Sequence, residues 1–285
     1  MPELPEVETI KRILEKTIVG KTIIDVEVRK AKIFQGEPKE VIGETIKKIE
    51  RRGKMIIIWL SGDKVLLIHL KLTGQLIWVS NAGKSVSFDY PIPFAGKVLP
   101  GKTTHVIFKI NGGKLFYNDL RQFGWIKVIS NSKSQITKII DKIGIEPFDK
   151  KFTEEYLQQI FSRTSKPIKL VLMDQEKIAG IGNIYANEAL FEAGILPTRP
   201  AKSLSKEEIK KLRKAILLVL EEGIKYGGSS AADEAYIKPT GEPGRYQQHF
   251  RVYQRKGEKC RKCKAIIERV NLGGRGTFWC PKCQK

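Results

Sequence analysis

The four cysteines of the chain all fall in its last 26 residues, as Cys260-x2-Cys263, sixteen intervening residues, then Cys280-x2-Cys283. Two tight Cys-x2-Cys turns joined by a hairpin of that length can present four thiolates tetrahedrally to zinc. Four sulfur ligands leave no position for water, so one structural Zn2+ is expected. A segment this short depends on such an ion for its folding energy. Two disulfides of a secreted protein are the competing use of this pattern, disfavoured because the sequence shows no signal peptide. Gly273-Gly274 supplies a flexible turn between the cysteine pairs. Residues 245–285 hold 12 Lys or Arg against 2 acidic residues, with Phe250, Tyr253, Phe278 and Trp279 among them. A basic hairpin carrying aromatic rings is suited to a nucleic-acid groove.

Charge extends that expectation to the whole chain. Among 285 residues, 52 are Lys or Arg and 31 Asp or Glu, a formal net charge of +21, while the 41% hydrophobic content is ordinary for a globular protein. Such an excess on a chain with a normal core calls for a polyanionic partner, nucleic acid ahead of an anionic membrane surface. The longest apolar run, Met55–Leu60, has strand length and is far short of the roughly 20 residues of a membrane helix. A cytoplasmic location is therefore expected.

Periodicity divides the chain. Val7, Ile10, Leu14 and Ile18 recur at helical steps up to Gly20. From 22 to about 129 come eight β-rich runs, at 22–28, 45–51, 55–60, 65–70, 75–79, 104–110, 114–118 and 125–129, which predict a β-sandwich or flattened barrel. The proline- and glycine-rich stretch 90–102 reads as a mobile loop. Helical periodicity takes over at 154–162, 167–174, 182–193 and 206–226. The expected organisation is α+β: an N-terminal β-sandwich with its helix at 1–130, a linker at 131–150, a helical domain at 151–245 and a zinc-ribbon hairpin at 246–285.

The amino terminus carries the sharpest chemistry. Once Met1 is removed, Pro2 has a free secondary amine, and the positive end of the following helix disfavours its protonated form. Such an amine can attack an aldehyde-like carbon and yield an iminium, an electron sink like a lysine Schiff base. Glu3 stands next to it to move protons. Equally, Pro2 and Pro5 can simply start a helix whose first turn favours acidic residues.

Six motifs, in order along the chain, resemble those of one family. Met1-Pro-Glu-Leu-Pro-Glu-Val-Glu-Thr9 resembles the opening of bacterial formamidopyrimidine-DNA glycosylases, which excise oxidised purines. Arg51-Arg52-Gly53-Lys54 resembles the family's catalytic-lysine hairpin, His69-Leu-Lys-Leu-Thr-Gly74 its void-filling segment and Asp119-Leu-Arg-Gln-Phe-Gly124 its Asp-x-Arg-x-Phe-Gly loop. Leu172-Met-Asp174 with Gly180-Ile-Gly-Asn-Ile-Tyr-Ala186 resembles its helix-two-turn-helix. Val252-Tyr-Gln-Arg-Lys-Gly257 leads into a finger ending Arg275-Gly-Thr-Phe-Trp-Cys280.

The resemblance implies roles. Pro2 attacks C1′ of the damaged deoxynucleotide, Glu3 protonates the ring oxygen, and Lys54 and Arg275 assist β- and δ-elimination. Arginine, with a pKa above ~12, is a poor proton donor, so holding phosphate is the physical part open to Arg275. A base must leave the stack before its sugar can be reached. The family fills the gap with Met, Arg and Phe, which correspond to Leu72, Arg121 and Phe123; leucine replaces methionine here. Asn183 is the implied phosphate grip and His105 matches a family histidine, while His69, Lys71, Arg163, Lys166 and Lys169 are further basic candidates that could equally be solvated charges. Thr103 stands where the family has a histidine, and near Thr164 it often has another lysine. Residues 227–244 correspond to a lesion-capping loop, counted with the helical domain.

The expected activity is thus a bifunctional glycosylase and abasic-site lyase, monomeric and acting on damaged double-stranded DNA near the bacterial nucleoid, with zinc as its one cofactor. The sister enzyme, endonuclease VIII, which takes oxidised pyrimidines, usually has Gly where this chain has Leu4. A non-catalytic zinc protein binding DNA, or a ribosomal or membrane-surface protein, would explain the charge but has no need of Pro2 and Glu3.

Overall fold

The computed structural model describes residues 1–132, 136, 139–230 and 236–285. Residues 133–135, 137 and 138 of the expected linker and 231–235 of the expected lesion loop lie outside them. Two compact units result, one from Met1–Asp141 with Tyr226–Gln247, the other from Lys142–Lys225 with Gln248–Lys285.

The first unit opens with helix α1 (Leu4–Ile18), which has Pro5 in its first turn and a reciprocal cap in which the Glu6 carboxylate accepts the Glu3 N–H at 2.8 Å. Eleven strands follow: β1 (Ile23–Val28), β2 (Phe34–Gln35), β3 (Ile46–Arg52), β4 (Met55–Leu60), β5 (Lys64–His69), β6 (Gly74–Ser80), β7 (Val86–Ile92), β8 (Gly96–Leu99), β9 (Thr104–Ile110), β10 (Gly113–Asp119) and β11 (Trp125–Ser130). They form a four-stranded sheet β1-β9-β10-β6 and a five-stranded sheet β2-β11-β5-β4-β3, with β7-β8 as a separate hairpin. The eight runs read from the sequence are all strands.

One apolar core joins the two sheets to α1. It contains Val7, Ile10, Leu14 and Ile18 of the helix, Ile56 and Ile58 of β4, Leu66 and Ile68 of β5, and Val106, Phe108 and Ile110 of β9. The alternate residues of the four-stranded sheet, Ile77, Ile107 and Phe116, face away from that core and are covered by Ile92, Ala95, Leu99 and Ile237. This second cluster corrects the reading of 90–102 as a mobile loop. The stretch has few but well-placed apolar residues, and burying them on the outer sheet face fixes it as the β7-β8 hairpin, whose two-stranded sheet tolerates Pro91.

The segment Tyr226–Gln247 belongs by contact to this first unit, although the sequence places 227–244 with the helices. Tyr236 enters the main core and Ile237 the outer one. Pro239 O accepts the Trp78 N–H at 2.9 Å.

The second unit holds α2 (Glu154–Ser162), α3 (Ile168–Leu172), α4 (Asn183–Ala193) and α5 (Lys206–Lys225), followed by the hairpin β12 (Glu268–Leu272) and β13 (Arg275–Trp279). Thr153 caps α2 by accepting the Tyr156 N–H at 3.1 Å, and Gly194, in the left-handed region at φ 74°, ends α4. All residues from Ile184 to Phe191 are buried, so α4 is the central element rather than an amphipathic surface helix. The α4–α5 contact depends on Gly223, where an added Cβ would stand 2.5 Å from the ring of buried Tyr185. Alanine favours a helix interior over glycine by about 1 kcal/mol, while overpacking a buried ring costs about 1–3 kcal/mol. Gly223→Ala is therefore expected to lower the thermal unfolding midpoint, measured by calorimetry.

Candidate active site

Pro2 and Glu3 are buried at the positive end of α1. Glu6, fully buried, holds them there and does a second thing: its other oxygen accepts the Ser229 N–H at 2.8 Å. The approach is close enough that a Cβ on Gly228, at φ +79°, would lie 3.0 Å from that oxygen. One carboxylate thus ties the chain's first residues to the stem of the 227–244 loop. The other stem is fixed by Ser230, whose hydroxyl donates to Tyr236 O and accepts the Gly244 N–H at 2.9 Å. The sequence reading did not single out Glu6; its one signal was the acidic residue three positions after Glu3.

Lys54 follows Gly53, whose φ of 57° makes the turn between β3 and β4, and is only 6% exposed. It is therefore not an exposed hairpin charge. The turn is tied to α1 through Arg51, whose guanidinium meets Glu8 at 2.9 Å and also donates to Gly53 O at 3.0 Å. The Arg51 and Arg12 guanidiniums hold the Glu8 carboxyl below its ordinary value although burial pushes it up.

His69, at the end of β5, is not the basic contact expected from the sequence. Burial, with Lys71 and Lys54 nearby, pushes its pKa down to about 3. Its Nδ1 accepts the Lys71 N–H at 3.0 Å, so the proton of the neutral ring is on Nε2. His105, buried, has Nε2 at 2.8 Å from Asp119 O. Leu72 and Lys71 are half-buried, and Phe123 is 54% exposed with the Arg121 guanidinium 4.9 Å from its ring centre. That exposure keeps Phe123 out of the sheet core.

In the second unit Asn183 is the first residue of α4, within 3.5 Å of the Tyr253 hydroxyl. The preceding turn is organised by Gln175, whose amide donates to Met173 O and Ile181 O and accepts the Gly180 N–H. Arg163 and Lys166 are exposed, whereas Lys169 is not a surface cation at all. It is fully buried and donates to Gly276 O at 3.0 Å and Thr277 Oγ1 at 2.8 Å, beside exposed Arg275. Glu188, also fully buried and unremarked in the sequence, accepts the N–H groups of Arg251, Val252 and Tyr253 at 2.8–3.0 Å. Burial pushes its carboxyl up against those donors. Both buried charges hold the chain around the hairpin to the helices.

Leu272 pairs with Arg275 across Gly273 and Gly274, both at positive φ, the two-residue turn that places Arg275 at the hairpin tip. The sulfurs of Cys260, Cys263, Cys280 and Cys283 lie within 4.8 Å of one another. Four thiolates at about 2.3 Å from a tetrahedral zinc need sulfur separations of about 4 Å, so the residues fit one structural Zn2+. Among the described residues no helix is long and apolar enough to cross a membrane.

A β-sandwich led by Pro-Glu, a helix-two-turn-helix and a four-thiolate hairpin define a zinc-containing DNA glycosylase of DNA repair. Family models agree along the chain: the formamidopyrimidine-DNA glycosylase N-terminal domain matches residues 1–126, the H2TH domain of the same enzymes 143–235, and the zinc finger found in FPG and IleRS 257–285. The chain belongs to the formamidopyrimidine-DNA glycosylase family. The formamidopyrimidine-DNA glycosylases of Shouchella clausii and Cytobacillus firmus are each 41% identical over 292 residues, covering 100% of this chain and 99% and 100% of theirs. Among solved structures, Lactococcus lactis Fpg bound to DNA with an abasic site has a TM-score of 0.85 at 35% identity over 99% of each chain. A variant of that enzyme with Fapy-dG DNA has a TM-score of 0.87 at 35% identity over 100% of each.

Two outcomes follow. The unfolded chain protonates His69 at its ordinary value near 6.5, the folded chain only at about 3. Stability is therefore full above the first value and falls as pH drops toward the second. In His69→Asn, whose side-chain oxygen can still accept from Lys71 N–H, the denaturant midpoint is expected to decline less between pH 7 and about pH 4. Chelating zinc should raise amide exchange across 257–285 on the order of a hundredfold while leaving 1–126 protected.

Proposed function

We propose that the chain is a bifunctional glycosylase and abasic-site lyase for oxidised purines, 8-oxoguanine and formamidopyrimidines, using Pro2 as nucleophile after removal of Met1. The observation that carries this reading is the burial of Pro2 and Glu3 at the head of α1, fixed by Glu6, with Lys54 buried on a turn tied to the same helix.

The Pro2 nitrogen lone pair forms a bond to C1′ while the bond from C1′ to the base breaks, and the proton given up by the amine passes to the departing base with that bond's electrons. Glu3 protonates the ring oxygen as the sugar opens, and the nitrogen becomes an iminium. That cation acidifies the C2′ protons. Loss of one expels the 3′ phosphate, a second elimination expels the 5′ phosphate, and water releases the enzyme. Lys54 is the proton donor of the first elimination. Arg275 and Asn183 hold phosphates, with Arg163, Lys166 and Lys71 adding charge. Neutral His69 contributes a hydrogen bond from Nε2, not a charge. His105 supports the void-filling loop from within. Leu72, Arg121 and Phe123 fill the space left by the base, Arg121 reading the orphaned cytosine.

Zinc stands outside the chemistry and keeps the Arg275 hairpin folded. Leu4 favours the purine enzymes over the pyrimidine-specific sister. Relatives also support DNA as partner: Lactococcus lactis Fpg has been crystallised with abasic-site DNA and with oxidised-pyrimidine DNA. Neutralising several phosphates at once makes affinity fall steeply with salt.

Borohydride reduction of the protein mixed with an 8-oxoguanine duplex is expected to trap a covalent adduct. Pro2→Gly should lower its yield by roughly a hundredfold, as loss of a positioned nucleophile does. No adduct on any damaged duplex from protein with a free Pro2 overturns the reading. Adducts on oxidised pyrimidines alone favour the sister activity.

A further inference from the structure

Two turns carry the three void-filling side chains. Leu72 lies between β5 and β6, and Arg121 and Phe123 lie between β10 and β11. Although 46 residues separate Thr73 from Asp119, their side chains join the turns directly. Asp119 is 1% exposed, and one carboxylate oxygen accepts from the Thr73 hydroxyl while the other accepts the Gly124 N–H at 2.8 Å. The Thr73 oxygen in turn accepts the Arg121 N–H at 2.9 Å. Asp119 therefore holds the far end of the Phe123 loop directly, and its near end through Thr73.

Asp119 is itself immobilised. Its N–H donates to Thr103 O at 2.9 Å, and its carbonyl meets His105 Nε2 at 2.8 Å. There is no room to slacken the assembly at Gly124, where a Cβ would stand 1.9 Å from the Tyr117 hydroxyl and 3.0 Å from the Asp119 carboxylate. Each turn also contains a non-glycine residue in the left-handed region, Lys71 at φ 50° and Gln122 at φ 54°. Such conformations persist where the surroundings over-determine them. The Leu72 turn is closed further by Gly74 N–H to Leu70 O at 2.9 Å.

We propose that Asp119 and Thr73 are positioning residues that lock the two turns into one rigid wedge, so that Leu72, Arg121 and Phe123 enter the duplex together. The inference rests on the gap-filling role given above to those three residues. Two independent turns would each lose conformational freedom on insertion, whereas the wedge is ordered when the protein folds. Discrimination of the opposite base gains most, because Arg121 can reject a wrong edge only if its backbone is fixed relative to Leu72.

Thr73→Val keeps side-chain shape and removes both links, while Thr73→Ser keeps the hydroxyl and serves as the rescue. In Thr73→Val, excision of 8-oxoguanine from a duplex and its preference for cytosine over adenine opposite the lesion are each expected to fall roughly tenfold, as for a lost buried hydrogen-bond pair. Borohydride trapping on a single-stranded abasic oligonucleotide, which has no gap to fill, should stay within about twofold of wild type, and Thr73→Ser within about twofold on every substrate. Unchanged duplex excision and preference in Thr73→Val overturn the proposal. So does an equal loss on single-stranded and duplex substrates, which assigns the network to folding, and so does a Thr73→Ser variant as impaired as Thr73→Val. Failure of the wild type to form an adduct on any damaged duplex as well as on the single-stranded abasic substrate is a separate result that overturns the enzyme reading and this one with it.

Discussion

A buried carboxylate is costly unless hydrogen-bond donors surround it, and the first unit is arranged around Glu6. Its two oxygens are taken by the N–H groups of Glu3 and Ser229, which lie 226 residues apart in the chain. Burial and the Glu6 charge also push the Tyr236 hydroxyl far above its ordinary range, so Tyr236 fills the core as a neutral ring. The consequence is that the Pro2-Glu3 segment and the loop stem 228–230 share one anchor. Losing either hydrogen bond would leave an oxygen of that carboxylate with no solvent to replace it.

The same device recurs wherever the site needs a fixed backbone. Asp119 gathers two turns, Glu188 gathers three consecutive N–H groups before the zinc hairpin, and Lys169 reaches the base of that hairpin from α3. Arg51 and Glu8 bind the Lys54 turn to α1. Each is a charged side chain spent on positioning rather than on substrate. For a protein with a formal charge of +21, the division matters. Arg163, Lys166 and Arg275 keep their charges at the surface, whereas Lys169 is wholly internal and burial holds the His69 ring neutral near neutral pH.

Motifs with a chemical reason for their spacing were legible in the sequence. The cysteine pairs implied the clustered sulfurs, Gly273-Gly274 the tight turn that displays Arg275, and the alternating runs the eight sandwich strands. The stretch 90–102 was misread because prolines and glycines outnumber its apolar residues. Ile92, Ala95 and Leu99 acquire meaning only against the outer face of a sheet formed by distant strands. Likewise Tyr236 and Ile237 follow helical sequence yet pack with the sandwich, since contact rather than order along the chain decides where a segment is buried.

Residue type at short spacing was enough to mark the Pro2-Glu3 opening, the metal ligands and the alternation that makes two sheets. Which charges stay charged, and which side chains hold others in place, emerges only on folding. Those properties depend on burial and on partners tens to hundreds of residues away. A lysine, a histidine or a glutamate reads the same in one dimension whether it faces solvent or the interior. Dielectric and hydrogen-bond partners, which set its protonation and its work, exist only once the chain has closed around it.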